Sequence, residues 1–158
     1  MAKNNLSKEK PLLLLFKENE LNISNLYALY AKKIPEKEEF WKKLSEEEIS
    51  HAAYINENSA GDYINSITKI KFSDDIVNYL MDFVLKEIEK TEKKSVFHRN
   101  AVLTALRIER SMLEERYFDI FTPKDTLIKK IFKNLTQETK RHIDILEKEL
   151  TKVSNAKK

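Results

Sequence analysis

Five residues in this chain combine metal-ligating chemistry with the periodicity of a helix core: Glu20, Glu48, His51, Glu109 and His142. Each falls on a stripe whose other members are mostly Leu, Ile, Phe, Tyr, Trp or Ala. A bare carboxylate on such a stripe is costly unless something compensates its charge. Divalent metal ions do so well, because carboxylates and neutral imidazoles are good ligands for them. Glu48 and His51 form a Glu-x-x-His pair, and a separation of three residues puts both side chains on one helical face. Alone, such a pair is what any Glu-rich helix produces, and a solvated Glu beside a satisfied core His is the plainer explanation. The chain, however, holds only three His, and two of them, His51 and His142, stand at matching places in its two halves. Glu20 precedes His51 by 31 residues and Glu109 precedes His142 by 33, so each half offers a Glu helix followed by a His helix.

Four strongly periodic segments have to position these residues. The first opens at Pro11, a favoured first helical position, and runs to about Lys33 with the inward stripe Leu13, Phe16, Glu20, Ile23, Tyr27 and Tyr30. The second runs from near Pro35 to Gly61, the only glycine and a natural stop, with Trp41, Leu44, Glu48, His51 and Ile55 inward. A weakly periodic stretch, Asp62 to Ser73, leads to a short connecting helix from Asp74 to about Lys90 carrying Ile76, Leu80, Phe83 and Val84. Thr91 to Lys94 reads as a loop or frayed turn. The third long helix spans about Phe97 to Phe121, with Val102, Ala105, Leu106, Glu109, Leu113, Arg116 and Ile120 on one side. Thr122, Pro123 and Asp125 form a restart signal. The fourth helix then carries Ile128, Ile131, Leu135, Thr139, His142, Leu146 and Leu150. The organisation expected is a tail over residues 1–10, one domain over 11–153 and a basic tail over 154–158. Two long helices, a crossover with its own short helix, and two more long helices describe a four-helix bundle. Periodicity does not separate a ferritin-like bundle from a generic antiparallel one.

Composition agrees with this. A length of 158 residues suits about one domain, and 41% hydrophobic residues suffice for a core. With 29 basic and 26 acidic residues the net charge is only +3, which argues against a dedicated nucleic-acid binder. One Gly and three Pro argue against most all-β architectures. The absence of Cys excludes disulfides, thiolate metal sites and a built-in rubredoxin-type iron centre. The longest apolar run, Leu12 to Phe16, is far short of the roughly 20 residues that span a bilayer. Met1 to Lys10 is polar and no small-residue cleavage site follows. A soluble, cytoplasmic, helical protein without membrane or nucleic-acid partners is expected.

The segment Glu20-Leu-Asn-Ile-Ser-Asn-Leu-Tyr27, followed by Trp41-Lys-Lys-Leu-Ser-Glu-Glu-Glu48-Ile-Ser-His51, resembles the first half of a ferritin-like di-iron carboxylate protein, closest to the rubrerythrin group. Ala105-Leu-Arg-Ile-Glu109 and Leu135-Thr-Gln-Glu-Thr-Lys-Arg-His142 resemble the matching later helices, and the similarity covers about residues 11 to 151. The resemblance implies an all-α, ferritin-like four-helix bundle with a long crossover between its second and third helices. It implies Glu20 and Glu109 as terminal carboxylates, Glu48 as a bridge between two metals, and His51 and His142 each capping one metal. Iron is the implied metal, with zinc or manganese as alternatives. A tyrosine at the position of Tyr27 lies close to the metals in such proteins, where it can donate a hydrogen bond or an electron; core packing is the plainer role.

Two departures stand out. The second Glu-x-x-His reads Thr139-Lys-Arg-His142, so one bridging carboxylate is replaced by a hydroxyl and the second ion is left short of a ligand. Met112 stands where rubrerythrins carry a further Glu, three residues after the third-helix ligand. Glu138 is a possible substitute for the missing bridge, but it lies about 100° around the helix from Thr139. Among the remaining residues, Trp41 reads as a packing anchor rather than a redox relay. His98, beside Lys93, Lys94 and Arg99, is expected to be exposed, and Glu46 and Glu47 to lie on the solvated face. The implied activity is reduction of peroxide or dioxygen by a di-metal centre, with electrons from a separate donor protein, in a chain that pairs as a homodimer. The competing expectations are a metal-binding bundle without turnover and a metal-free helical interaction protein.

Overall fold

The structure, a computed structural model, describes residues 12–58, 71–114 and 126–156. Every regular element among them is helical: α1 (Leu12–Lys33), a short 3₁₀ turn (Pro35–Lys37), α2 (Glu38–Asn58), α3 (Lys71–Lys93), α4 (His98–Glu114) and α5 (Thr126–Asn155). The expected all-α class holds, with five α-helices packed together and no strand among the described residues. The tail over residues 1–10, Gly61, most of Asp62 to Ser73, Arg116, Ile120 and the restart signal at Thr122 to Asp125 lie outside the described residues.

α1 and α2 form an antiparallel pair joined by four residues. Pro35 disfavours the helical conformation at Ile34, whose φ of −126° and ψ of 74° end α1 in a non-helical residue. Pro35 then opens the 3₁₀ turn, and the Glu38 N–H donates back to its carbonyl as α2 begins. The two helices meet closely at Ser24 and Ser45, whose hydroxyls donate to each other's carbonyls, Ser24 Oγ to Ser45 O at 2.9 Å and Ser45 Oγ to Ser24 O at 2.9 Å. Small side chains permit this approach. Because Ser24 lies one turn after Glu20 and Ser45 one turn before Glu48, the clamp also holds those two carboxylates side by side.

The inward stripes are buried as expected: Leu13, Phe16, Ile23, Tyr27 and Tyr30 on α1, Trp41, Leu44 and Ile55 on α2, Val102, Ala105 and Leu106 on α4, and Ile131, Leu135 and Leu146 on α5. α1 packs against both α2 and α3, while α5 packs against α4 and, less extensively, α2. Phe16 and Phe132 meet edge to face, with ring centroids 5.6 Å apart, and tie α1 to α5.

α3 departs from expectation. It is a 23-residue helix rather than a short connector, longer than the 17 residues described for α4. Leu80 and Val84 are buried, and Arg107 of α4 lies 4.4 Å over the ring of Phe83. The run expected to fray at Thr91 stays helical through Lys93. Lys93 pairs with Glu89 at 2.6 Å, Lys90 lies 3.7 Å from Glu87, and the buried Thr91 hydroxyl donates to the Glu87 carbonyl at 2.7 Å. Alternating charge here is helix-forming i,i+3 and i,i+4 pairing rather than loop chemistry. No described helix is long and apolar enough to cross a membrane.

Candidate metal centre

Four helices deliver the five candidate ligands to one place. Glu20 comes from α1, Glu48 and His51 from α2, Glu109 from α4 and His142 from α5. All are buried, at no more than 8% exposure. Glu48 lies between the two histidines: its Oε2 is 3.0 Å from His51 Nδ1, and its Oε1 is 2.8 Å from His142 Nδ1. The first contact is a hydrogen bond, whereas the second is close but not aligned as one. Glu20 Oε2 is 3.8 Å from His51 Nδ1, and Glu109 Oε1 is 3.4 Å from His142 Nδ1. The donor atoms of Glu20, Glu48 and His51 lie within 4.8 Å of one another, and so do those of Glu48, Glu109 and His142. Glu48 belongs to both trios. The imidazole rings face each other at 5.2 Å between centroids.

The outer nitrogens of the two rings are held across the helix pair. His142 Nε2, on α5, lies 2.9 Å from Glu47 Oε2 on α2, and His51 Nε2, on α2, lies 3.4 Å from Glu138 Oε2 on α5. Arg141 ties the two supports together, donating to Glu47 at 2.9 Å and to Glu138 at 2.7 Å. Each Glu stands four residues before the His of its own helix and serves the His of the other. This overturns the expectation that Glu47 lies on the solvated face. Glu46 is exposed as expected. Glu138 does not take over the bridge: its side chain is 31% exposed and bound to Arg141, so it meets the outer edge of His51 rather than the face Thr139 shares with His142. The trio His51, Glu138 and His142 nevertheless also brings donor atoms within 4.8 Å of one another. Thr139 is buried at 4% exposure, and Met112, buried one turn after Glu109, leaves no carboxylate at that position.

Electrostatics follow from crowding five carboxylates against two imidazoles and one guanidinium. Burial, then the charge of Glu48, pushes Glu20 well above the carboxylate range and raises Glu109 in the same direction. Burial works against Glu48 too, but its contacts with Glu20, His142 and His51 hold it well below its ordinary value. Burial would lower both histidines; instead Glu20 and Glu48 raise His51 to about 10, and Glu109 and Glu48 raise His142 to about 11. Burial, then the charges of Glu109 and Glu48, keeps the Tyr27 phenol protonated, and it donates to Glu109 Oε1 at 2.9 Å. Tyr27 thus meets a candidate ligand directly.

Three buried oxygens, Glu20 Oε2, Glu48 Oε1 and Glu109 Oε2, have no hydrogen-bond partner among the described residues. Buried carboxylate oxygens without donors are unfavourable, and a shared divalent cation is the partner this donor set fits. The buried His and Glu groups could therefore hold a metal ion. Neutral imidazoles bound through Nδ1 would keep Nε2–H on Glu47 and Glu138, an arrangement that fixes ring orientation and raises ligand basicity.

His98 also differs from expectation. Its side chain is only 9% exposed, because Trp41 Nε1–H donates to its Nδ1 at 3.1 Å and Glu149 Oε1 accepts at 2.8 Å from its Nε2. Its neighbours Lys93, Lys94 and Arg99 are exposed, and local charge alone hid this contact. Comparison of the chain with protein-family models, curated protein sequences and solved structures finds no match.

Proposed function

We propose that this chain is a carboxylate-bridged di-metal redox protein of the ferritin-like, rubrerythrin-like kind, which reduces peroxide or dioxygen with electrons from a separate donor protein. The observation that carries the reading is that Glu48 belongs to two ligand trios at once, each completed by one further Glu and one His Nδ1. On this reading α1, α2, α4 and α5 form the ferritin-like bundle, with α3 as the helix carried in its crossover, and two chains pair as a homodimer. Two iron ions, when bound, supply Lewis acidity and electrons. Glu20, Glu48 and His51 would hold one ion, and Glu48, Glu109 and His142 the other. Tyr27 orients Glu109 through its hydroxyl, and Glu47, Glu138 and Arg141 hold the histidine rings. Burial of all five ligands limits the access of water to the donor set.

Thr139 and Met112 support a second reading, metal binding without efficient turnover, because each stands where the active members of that group carry a carboxylate. Anaerobic iron loading followed by metal analysis, then peroxide consumption with a supplied reductant, tests both. One to two irons per chain with peroxide-dependent turnover is expected. Iron retained without turnover leaves only the second reading, and no retained metal overturns both.

A further inference from the structure

Trp41 and His98 form a polar aromatic group distinct from the carboxylate cluster. The Trp41 indole, in the first turn of α2, is fully buried. Its Nε1–H donates to Nδ1 of His98, the first residue of α4, at 3.1 Å. An indole nitrogen can only donate, so Nδ1 accepts and the proton of the neutral imidazole sits on Nε2. That N–H donates to Glu149 Oε1 of α5 at 2.8 Å, and the same oxygen accepts from Lys37 Nζ at 2.7 Å. Satisfying one indole N–H requires a single neutral acceptor. Glu149, only 5% exposed and paired with Lys37, adds a carboxylate on the far side of the imidazole. It is the group needed where an imidazole must accept a second proton. On the inner side, the Trp41 ring lies 5.5 Å from that of Tyr27, whose hydroxyl donates to Glu109. On the outer side, Lys37 lines a groove with Pro35, Glu36, Glu38, Glu39 and Phe40. The series therefore runs unbroken from the buried cluster to the turn between α1 and α2.

We propose that Trp41, beyond the packing role its sequence position suggests, forms with His98 a proton-coupled electron relay between the carboxylate–histidine centre and the surface at the α1–α2 turn, with Tyr27 as its inner contact. This rests on the reading of that centre as a redox-active metal site oxidised by peroxide. Trp41 gives up one electron toward the centre, and its Nε1–H bond breaks as the proton forms a bond to His98 Nδ1. The products are a neutral indolyl radical and an imidazolium paired with Glu149. A one-electron donor protein, an iron–sulfur or flavin carrier, then returns an electron to Trp41 while the proton returns from His98 to Nε1. The net change is one electron moved from donor to centre, with every proton restored. Without His98 the oxidised indole would be a cation in an apolar interior, which is strongly disfavoured.

The natural chain has no cysteine, so a Glu36→Cys variant carries a single ruthenium photo-oxidant at the exposed end of the relay. Flash oxidation of the metal-free protein, followed by transient absorption and electron paramagnetic resonance, should give the neutral indolyl radical with a solvent deuterium isotope effect on its formation. Trp41→Phe should abolish the signal. His98→Gln, checked for helicity, should lower the radical yield and leave what forms as the protonated radical cation. In protein shown to contain ferrous iron, the radical should decay faster than in the metal-free protein. No indolyl radical, an unchanged neutral radical in His98→Gln, or equal decay with and without bound iron overturns the relay. Failure of iron loading overturns the metal reading separately, since the radical measurement on the metal-free protein does not depend on it.

Discussion

Glu48→Gln tests the centre through stability before any metal is added. Gln keeps the volume of Glu, so no cavity forms, but the shared negative charge disappears. As a lone buried carboxylate, Glu48 would be a liability whose loss stabilises the metal-free protein. The structure reverses that sign, because its oxygens lie 3.0 Å from His51 and 2.8 Å from His142, both raised to pKa values far above neutrality. Breaking a buried ion pair from one side costs about 3–5 kcal/mol. Part of this is recovered here: Glu109 at 3.4 Å from His142 and Glu20 at 3.8 Å from His51 remain, and both ionise more readily once the charge of Glu48 no longer opposes them. A loss of about 2–3 kcal/mol at neutral pH is therefore expected, below the full one-sided cost. For a chain of this size that corresponds to a fall in Tm of roughly 4–12 °C. Thermal and urea unfolding of chelator-treated parent and variant measure it. A metal-free variant as stable as the parent, or more stable, would refute the argument that Glu48 is clasped by two imidazolium rings.

Thr139→Glu places a carboxylate at a buried position one turn before His142 and should raise iron stoichiometry toward two per chain, read by metal analysis; unchanged stoichiometry argues that the pocket does not accept a second bridge. Glu138→Gln removes the acceptor on His51 Nε2 and should weaken metal affinity about 10–100-fold with helicity intact, measured by competition with a chelator of known affinity. The pH dependence has a defined sign. His51 and His142 are raised from 6.5 to about 10 and about 11, so their contribution to the stability of the metal-free protein is complete below about pH 6.5 and is lost as pH rises toward those values. Urea midpoints between pH 6 and pH 10 should therefore fall for metal-free protein and fall less for metal-loaded protein, in which the ion replaces the Nδ1 proton. A flat metal-free profile would remove the imidazolium assignment.

The candidate ligands were legible in one dimension because helical periodicity assigns each side chain an azimuth on its own axis. Glu20, Glu48, His51, Glu109 and His142 interrupt apolar stripes, and an interrupted stripe stays inward whatever helix it meets. The same reasoning placed Tyr27 and the buried Thr139 correctly. Flank positions are different. Glu47 sits about 100° from Glu48, and Glu138 the same from Thr139, an angle at which a side chain meets either solvent or a neighbouring helix. Only the approach of α2 and α5 decides that Glu47 reaches His142, Glu138 reaches His51, and Arg141 joins them. His98 makes the same point: its charged sequence neighbours suggested exposure, whereas Trp41 from α2 and Glu149 from α5 enclose it. The length of α3 was hidden because alternating charges are compatible with loop and helix alike, and the choice falls to packing of Leu80 and Val84 into the common core. Sequence thus determined which residues face inward, since that is a property of one helix. The partners they find there are a property of two or more helices, and only tertiary packing decided them.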